Sequence, residues 1–201
     1  MATSTVLDVA GDTGSDDPSP PPSPSFIYLA LYDYIADDEV ELETLDQWMS
    51  HQLSWRLIPS QSSTIPSGGH EIFGIHRDED GIVSSDNEYD EDPTVDIRAF
   101  IRLPTKPTKT YESLLHQVQK CSETFLTEAI DDGWQEWEWV YNMFEHLEVL
   151  EYVDDRVTNT WQYKNKSKME IFRERVLSLA KQVYDMGGSP ENRVIDFPLG
   201  S

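Results

Sequence analysis

A single cysteine among 201 residues, Cys121, excludes an internal disulfide framework, and a reducing compartment is the simpler setting for such a chain. Basic side chains are scarce as well. Fifteen Lys and Arg stand against 38 Asp and Glu, a formal charge of −23, so phosphate backbones and anionic lipid are repelled. The chain lacks any apolar run of about 18 residues, and its opening has neither the basic start nor the apolar stretch of a secretory signal. The expected setting is nuclear or cytoplasmic, with no membrane contact. Gly-rich phosphate loops, a nucleophile elbow and zinc spacing are missing too. A non-enzyme with no cofactor and no metal is expected.

What is present divides unevenly. Residues 1–25 are rich in Ser, Pro, Asp and Gly and offer too little apolar surface to repay ordering, so a disordered tail is expected. Within it, Ser19 and Ser23 each precede proline and suit a proline-directed kinase. Residues 26–60 read as "FIYLALYDYI", a strand or, nearly as well, a short helix capped by Ser25, then a helix through "DDEVELETLDQWMSHQL" with an aspartate cap, packed on the main domain. Residues 61–94 read as a loop holding the strand "HEIFGIHR", an Asp80-Gly81 turn that folds "IVS" back on it, and an acidic run too charged to pack. Ser85 in that run, with Glu88 three residues on, suits an acidophilic kinase.

Residues 95–186 form the expected main domain. "VDIRAFIRLP" alternates Val95, Ile97, Ala99, Ile101 and Leu103 against polar or aromatic neighbours, a clear strand. "YESLLHQVQKCSETFLTEAI" carries an apolar stripe from Leu114 to Leu126 and ends at Gly133, an amphipathic helix. "SKMEIFRERVLSLAKQVYDMGG" opens with Ser167 and Glu170 in capping-box spacing and closes on glycines, a second. Residues 187–201 are a tail, in which Val194, Ile195 and Phe197 are candidate anchors of a short linear motif. The fold class is α+β, a mostly helical C-terminal half with a hairpin or wing after an irregular N-terminal half.

Between those helices lies "WQEWEWVYNMFEHLEVLEYVDDRVTNTWQYK", Trp134 to Lys164. Trp137, Val140, Tyr141, Phe144 and Leu147 fall at helical intervals from about Gly133 to Leu150, and beyond Asp155 the period changes to two. "LEVLEYV" followed by "TWQYK" resembles the last helix and wing of a winged-helix domain over residues 134–164. It departs where that family commonly has glycine, since Glu151 stands at the helix exit. The resemblance implies a helix that enters the major groove in DNA-binding members, but its carboxylates have the wrong sign for phosphate. "ALYDYIADDEVEL", Ala30 to Leu42, resembles the start of an SH3 domain and would imply Tyr32 and Tyr34 lining a proline-peptide groove. Thr44 and an unpaired Trp55 depart from that pattern, and no closing strand follows.

Other constellations carry less chemistry. "HRDEDGIVSSDN" has calcium-loop spacing in its middle, but His76 and Asn87 occupy the positions that need acids. Cys121 lies on an apolar stripe and reads as a core thiol. The sequence therefore points to a non-catalytic acidic regulator or adaptor acting through protein-protein binding. Its expected partner-contact residues are Trp134, Trp139 and Tyr141 with Glu136 and Glu138, facing a protein that is basic or has an apolar groove. Residues 156–184 hold seven basic and two acidic side chains, and Arg156, Lys164, Lys166 and Lys168 form a second candidate contact surface. The alternative is a mimic of nucleic-acid charge that inhibits or chaperones basic, nucleic-acid-binding proteins.

Overall fold

The computed structural model of the chain describes residues 25–33, 42–50, 53–64, 70–77, 83–90, 97–154, 166–187 and 193–198. Its elements are β1 (Phe26–Asp33), α1 (Leu45–Ser50), β2 (Leu53–Ser60), β3 (His70–Arg77), β4 (Val83–Asp90), β5 (Ile97–Leu103), α2 (Tyr111–Asp132), α3 (Glu136–Val149), α4 (Lys168–Met186) and β6 (Val194–Asp196). This is an α+β fold built on one six-stranded sheet in the order β4-β3-β2-β1-β5-β6. Neighbouring strands are antiparallel except β5 and β6, which run parallel.

β1 lies in the middle because its sequence is apolar on both faces. Ile27, Leu29 and Leu31 join the large core shared with the helices. Tyr28 and Ala30 join Ile58, Ile72 and Phe100 in a smaller core on the opposite face. A strand that alternates into two apolar environments reads as a continuous run and needs both faces covered. Part of that second cover comes from the turn after β2, where the Tyr28 hydroxyl donates to the Ser62 carbonyl at 2.9 Å and to that of Thr64 at 3.1 Å. β1 sits between β2 and β5, so strands from both parts of the chain, Phe26–Asp33, Leu53–Ser60 and Ile97–Leu103, are neighbours in one sheet.

The helices cover one face. α2 starts at Thr110, whose hydroxyl accepts from the Ser113 amide at 3.2 Å, and stops at Gly133, at a left-handed φ of 67°. α3 lies on β2 and β3 between α2 and α4, and Trp139, Val140, Met143, Phe144 and Leu147 are all fully buried. α4 carries the expected capping box, with the Ser167 hydroxyl accepting from the Glu170 amide and the Glu170 carboxylate from the Ser167 amide. Phe172, Val176, Leu179, Ala180 and Val183 form its buried stripe, as the sequence spacing indicates.

Three local expectations are corrected. The helix after β1 is only six residues long within the described part, and Thr44 rather than an aspartate caps it, accepting from the Gln47 amide. The expected helix, taken to end at Pro59 and the "SQSSTIPSGG" run, does not reach that far: "LSWRLIPS" is a strand, β2, and the proline sits one residue from its end, opposite Ile27, where few ladder bonds are lost. Val83 and Ser84 do lie back against β3 as expected of "IVS", but the strand, β4, continues through Asp90 into the acidic run, paired with β3 at the sheet edge. Edge strands tolerate charge that central strands do not, which is why its composition misleads.

Candidate functional site

Arg193–Pro198 is laid along the outer edge of β5. Val194, Ile195 and Asp196 face Phe100, Ile101 and Arg102 in register. The Phe100 amide donates to the Arg193 carbonyl at 2.7 Å, and the Phe197 amide to the Arg102 carbonyl at 2.8 Å. Alternation then sends side chains to opposite faces. Ile195 and Phe197 go to the helical side, where Phe197 is buried and its ring lies 6.1 Å from that of Phe172. Phe172 in turn meets Tyr141 and Phe144, each at 5.6 Å. Val194 goes to the other face with Phe26 and Tyr32.

Arg102 organises the polar side of this edge. Its Nε and Nη2 donate to the two Asp196 carboxylate oxygens at 2.6 and 2.9 Å, while Nη1 donates to the Ser63 carbonyl at 2.6 Å. The guanidinium also lies 6.0 Å from the Phe26 ring centre. Such two-point carboxylate recognition is specific to arginine, and the paired carboxylate holds Arg102 above its ordinary pKa. An open cleft of about 520 Å³ adjoins the pair, lined by Phe26, Leu103, Pro104, Thr105 and Phe197 besides Arg102 and Asp196. The nearby backbone is fixed, since the Thr105 hydroxyl donates to the Ser25 carbonyl and that of Ser25 to the Lys109 carbonyl. An apolar hollow, one oriented cation and a row of strand edge groups suit an extended peptide.

The residues expected to meet a partner lie elsewhere, and most face inward. Trp139 is fully buried, Tyr141 is 4% exposed, and α3 is covered along more of its circumference than a one-stripe helix would be. Glu136 is an internal group: it accepts from the Ser54 hydroxyl and Trp55 amide at 2.9 Å and from Arg56 Nη1 at 3.1 Å. Glu138 accepts from the Gln135 amide at the start of α3. Trp134 is half-buried, 6.1 Å from Phe125. Trp137, expected in the core stripe, is half-buried below the Arg173 guanidinium at 5.1 Å. The helix is thus rotated so that Trp139 takes the core place the spacing gives to Trp137.

On the second surface, Lys166 and Lys168 are exposed, and Lys166 pairs with Glu174. Arg156, Lys164, Ser19, Ser23, Tyr34 and the expected wing strand lie outside the described residues. Ser85 occupies a β4 position opposite Ile75. Tyr32 belongs to the central strand of an open sheet, not to the groove that the SH3 resemblance implies. Glu151, which stands in place of the wing glycine, takes the glycine-like φ of 62°, so the helix exit is tight despite the substitution. Burial pushes the Cys121 thiol above its usual pKa, and Gln117 Nε2 donates to it at 3.1 Å, which fits the core-thiol reading.

Sequence reasoning found Val194, Ile195 and Phe197 as possible anchors but left their receptor unknown. Arg102 and Phe26 carried no signal of their own. Only the pairing of residues about 94 positions apart brings Arg102 to Asp196, and nothing local announces that. Among the described residues, no helix is long and apolar enough to cross a membrane. Comparison with known proteins adds no analogy on which to lean, since no family model, curated protein or solved structure matches this chain.

Proposed function

We propose that the chain is a non-catalytic binding protein of the nucleus or cytoplasm, a regulator or adaptor that acts by holding an extended segment of protein at the β5 edge. One observation carries this reading: β5 already receives such a segment, with main-chain bonds, an arginine for its carboxylate and a buried place for its phenylalanine. Strand addition of this kind gives affinity through the backbone and selectivity through alternate side chains. Affinity purification of the full chain beside its Arg102→Glu variant, each followed by mass spectrometry, tests it. Partners lost with the variant while circular dichroism is unchanged support the reading; an identical partner set from both sinks it.

A second reading, the nucleic-acid mimic, keeps support from the net charge of −23 and from Glu123, Glu128, Asp131 and Asp132, all exposed on α2. It calls for a basic partner whose capture fades by about 0.3 M salt, because exposed charges are then screened within a few ångströms. Capture that persists at molar salt counts for the strand edge instead.

A further inference from the structure

The receiving edge and its resident segment are unequal partners. Three ladder pairs hold β6, the Asp196 side chain is 69% exposed in its ion pair, and Val194 and Ile195 are only half covered. Phe197 alone is deeply buried. Short edge strands with few buried groups open at low local cost, well before the core does. The cleft beside Arg102 and Phe26 also keeps about 520 Å³ open with the segment in place, so the resident does not fill the site.

Resting on the reading just proposed, we infer that Arg193–Pro198 is a displaceable internal occupant. The ligand proper is a segment of another protein with the pattern aliphatic, aliphatic, acid, aromatic, added parallel to β5. Each requirement follows from a named group. Phe100 and Ile101 place the two aliphatic residues on opposite faces. Arg102 offers two parallel donors, which demand a carboxylate and reject a cation. The pocket beside Phe172 accepts a flat ring. A tethered occupant competes at an effective concentration on the order of millimolar, so an outside segment prevails only if it also uses the empty cleft or if the resident is loosened.

The probe is an eleven-residue fluorescent peptide with the sequence of residues 191–201, added to the full chain. Asp196→Arg sets two cations against each other and loosens only the resident, since Arg102, Phe26 and Phe172 stay intact. That variant is expected to bind the peptide at least about tenfold more tightly than the wild type, the cis competitor being weakened. The same peptide carrying Asp196→Arg is expected to fail on it, and to bind an Arg102→Asp chain instead. Equal affinity for both chains, or binding indifferent to the peptide's charge, overturns the inference. Amide exchange at Phe197 reports whether the resident has left, and the double variant Asp196→Arg/Phe197→Ser covers the case in which one change is too mild. Protection that persists in both variants also overturns it, because the occupant is then not displaceable. A natural partner that still depends on Arg102 while the peptide fails would sink this inference and leave the proposed function standing.

Discussion

Glu136 and Arg56 meet 3.1 Å apart where β2 and β3 part company. The two strands are paired at Leu57 and Phe73. Beyond that point the Trp55 amide donates to Glu136, while the carbonyls of Trp55 and Ile75 both accept from Arg56 Nη1. The ion pair thus takes over the backbone groups that a continuous ladder would have joined. Both side chains are largely covered, at 11% and 15% exposure.

Glu136→Gln removes the charge that faces Arg56 and replaces charge-assisted bonds to Ser54, Trp55 and Arg56 with neutral ones, so it is expected to cost about 1–3 kcal/mol. Urea unfolding measures it. Arg56 also lies flat over Gly74, where an added Cβ would come within 2.4 Å of its Cδ. Gly74→Ala is therefore expected to cost about 1–2 kcal/mol in the wild type and clearly less in an Arg56→Ala background. Additive costs would show that Arg56 does not depend on that space.

Much of the fold is legible in local pattern, because helices α2 and α4 and strands β3 and β5 announce themselves through period and caps, whereas β1 is apolar on both faces and its pattern fits a short helix nearly as well. What escapes is decided by neighbours distant in sequence. β4 is acidic yet a strand because β3 supplies its partner, and β2 keeps Pro59 because the position is near its end. Trp137 and Trp139 differ by two residues on one helix, and which of them enters the core depends on how α3 is turned over β2 and β3. The candidate site shows the same division: the anchors Val194, Ile195 and Phe197 are visible in the sequence, and the strand that receives them is not.

The tryptophans of α3 separate by energy as well as by place. Trp139 is fully buried, and among the described residues its indole N–H has no hydrogen-bond partner. Trp139→Ala is expected to cost about 3–5 kcal/mol through the cavity it leaves. Trp139→Phe removes the unsatisfied donor along with part of the ring, so its cost is expected near 1 kcal/mol. Trp134→Ala, at a half-buried position, is expected to cost about 1–2 kcal/mol. If Trp139→Ala left the urea midpoint unchanged, the core position of this residue would be wrong.

Alkaline titration tests the aromatic cluster behind Phe197. Burial, and then the carboxylates of Glu145 and Glu148, push the Tyr141 phenol up to about 12. The folded chain holds this proton where the unfolded chain has lost it. Between the unfolded value near 10 and about 12 the native state binds more protons, so stability falls as pH rises, by at most about 2–3 kcal/mol from this group. Burial also raises the Tyr28 pKa and adds to the same trend. Tyr141→Phe is expected to flatten the loss of stability between pH 10 and 12, read from urea midpoints. An unchanged slope would place the phenol in solvent.

Glu151 turns the chain out of α3 with a φ of 62° that residues other than glycine adopt at a cost. The turn is held by the Glu151 amide on the Glu148 carbonyl at 2.9 Å and the Tyr152 amide on that of Leu147 at 2.8 Å. It aims Val153 at Thr105, its β-bridge partner, where the Lys106 amide donates to the Tyr152 carbonyl at 3.0 Å and the Asp154 amide to the Pro104 carbonyl at 3.1 Å. The side chain contributes little in return, because its pair with Lys106 is 3.9 Å long and 71% exposed at the carboxylate. Glu151→Gly relieves about 1–2 kcal/mol of left-handed strain while giving the unfolded chain more freedom, which offsets up to about 1 kcal/mol of it. The net expectation is a gain of about 0.5–1 kcal/mol, seen as a higher urea midpoint at unchanged slope. Glu151→Val, branched at Cβ, is expected to move the midpoint the other way, and a gain from that variant would refute the left-handed turn.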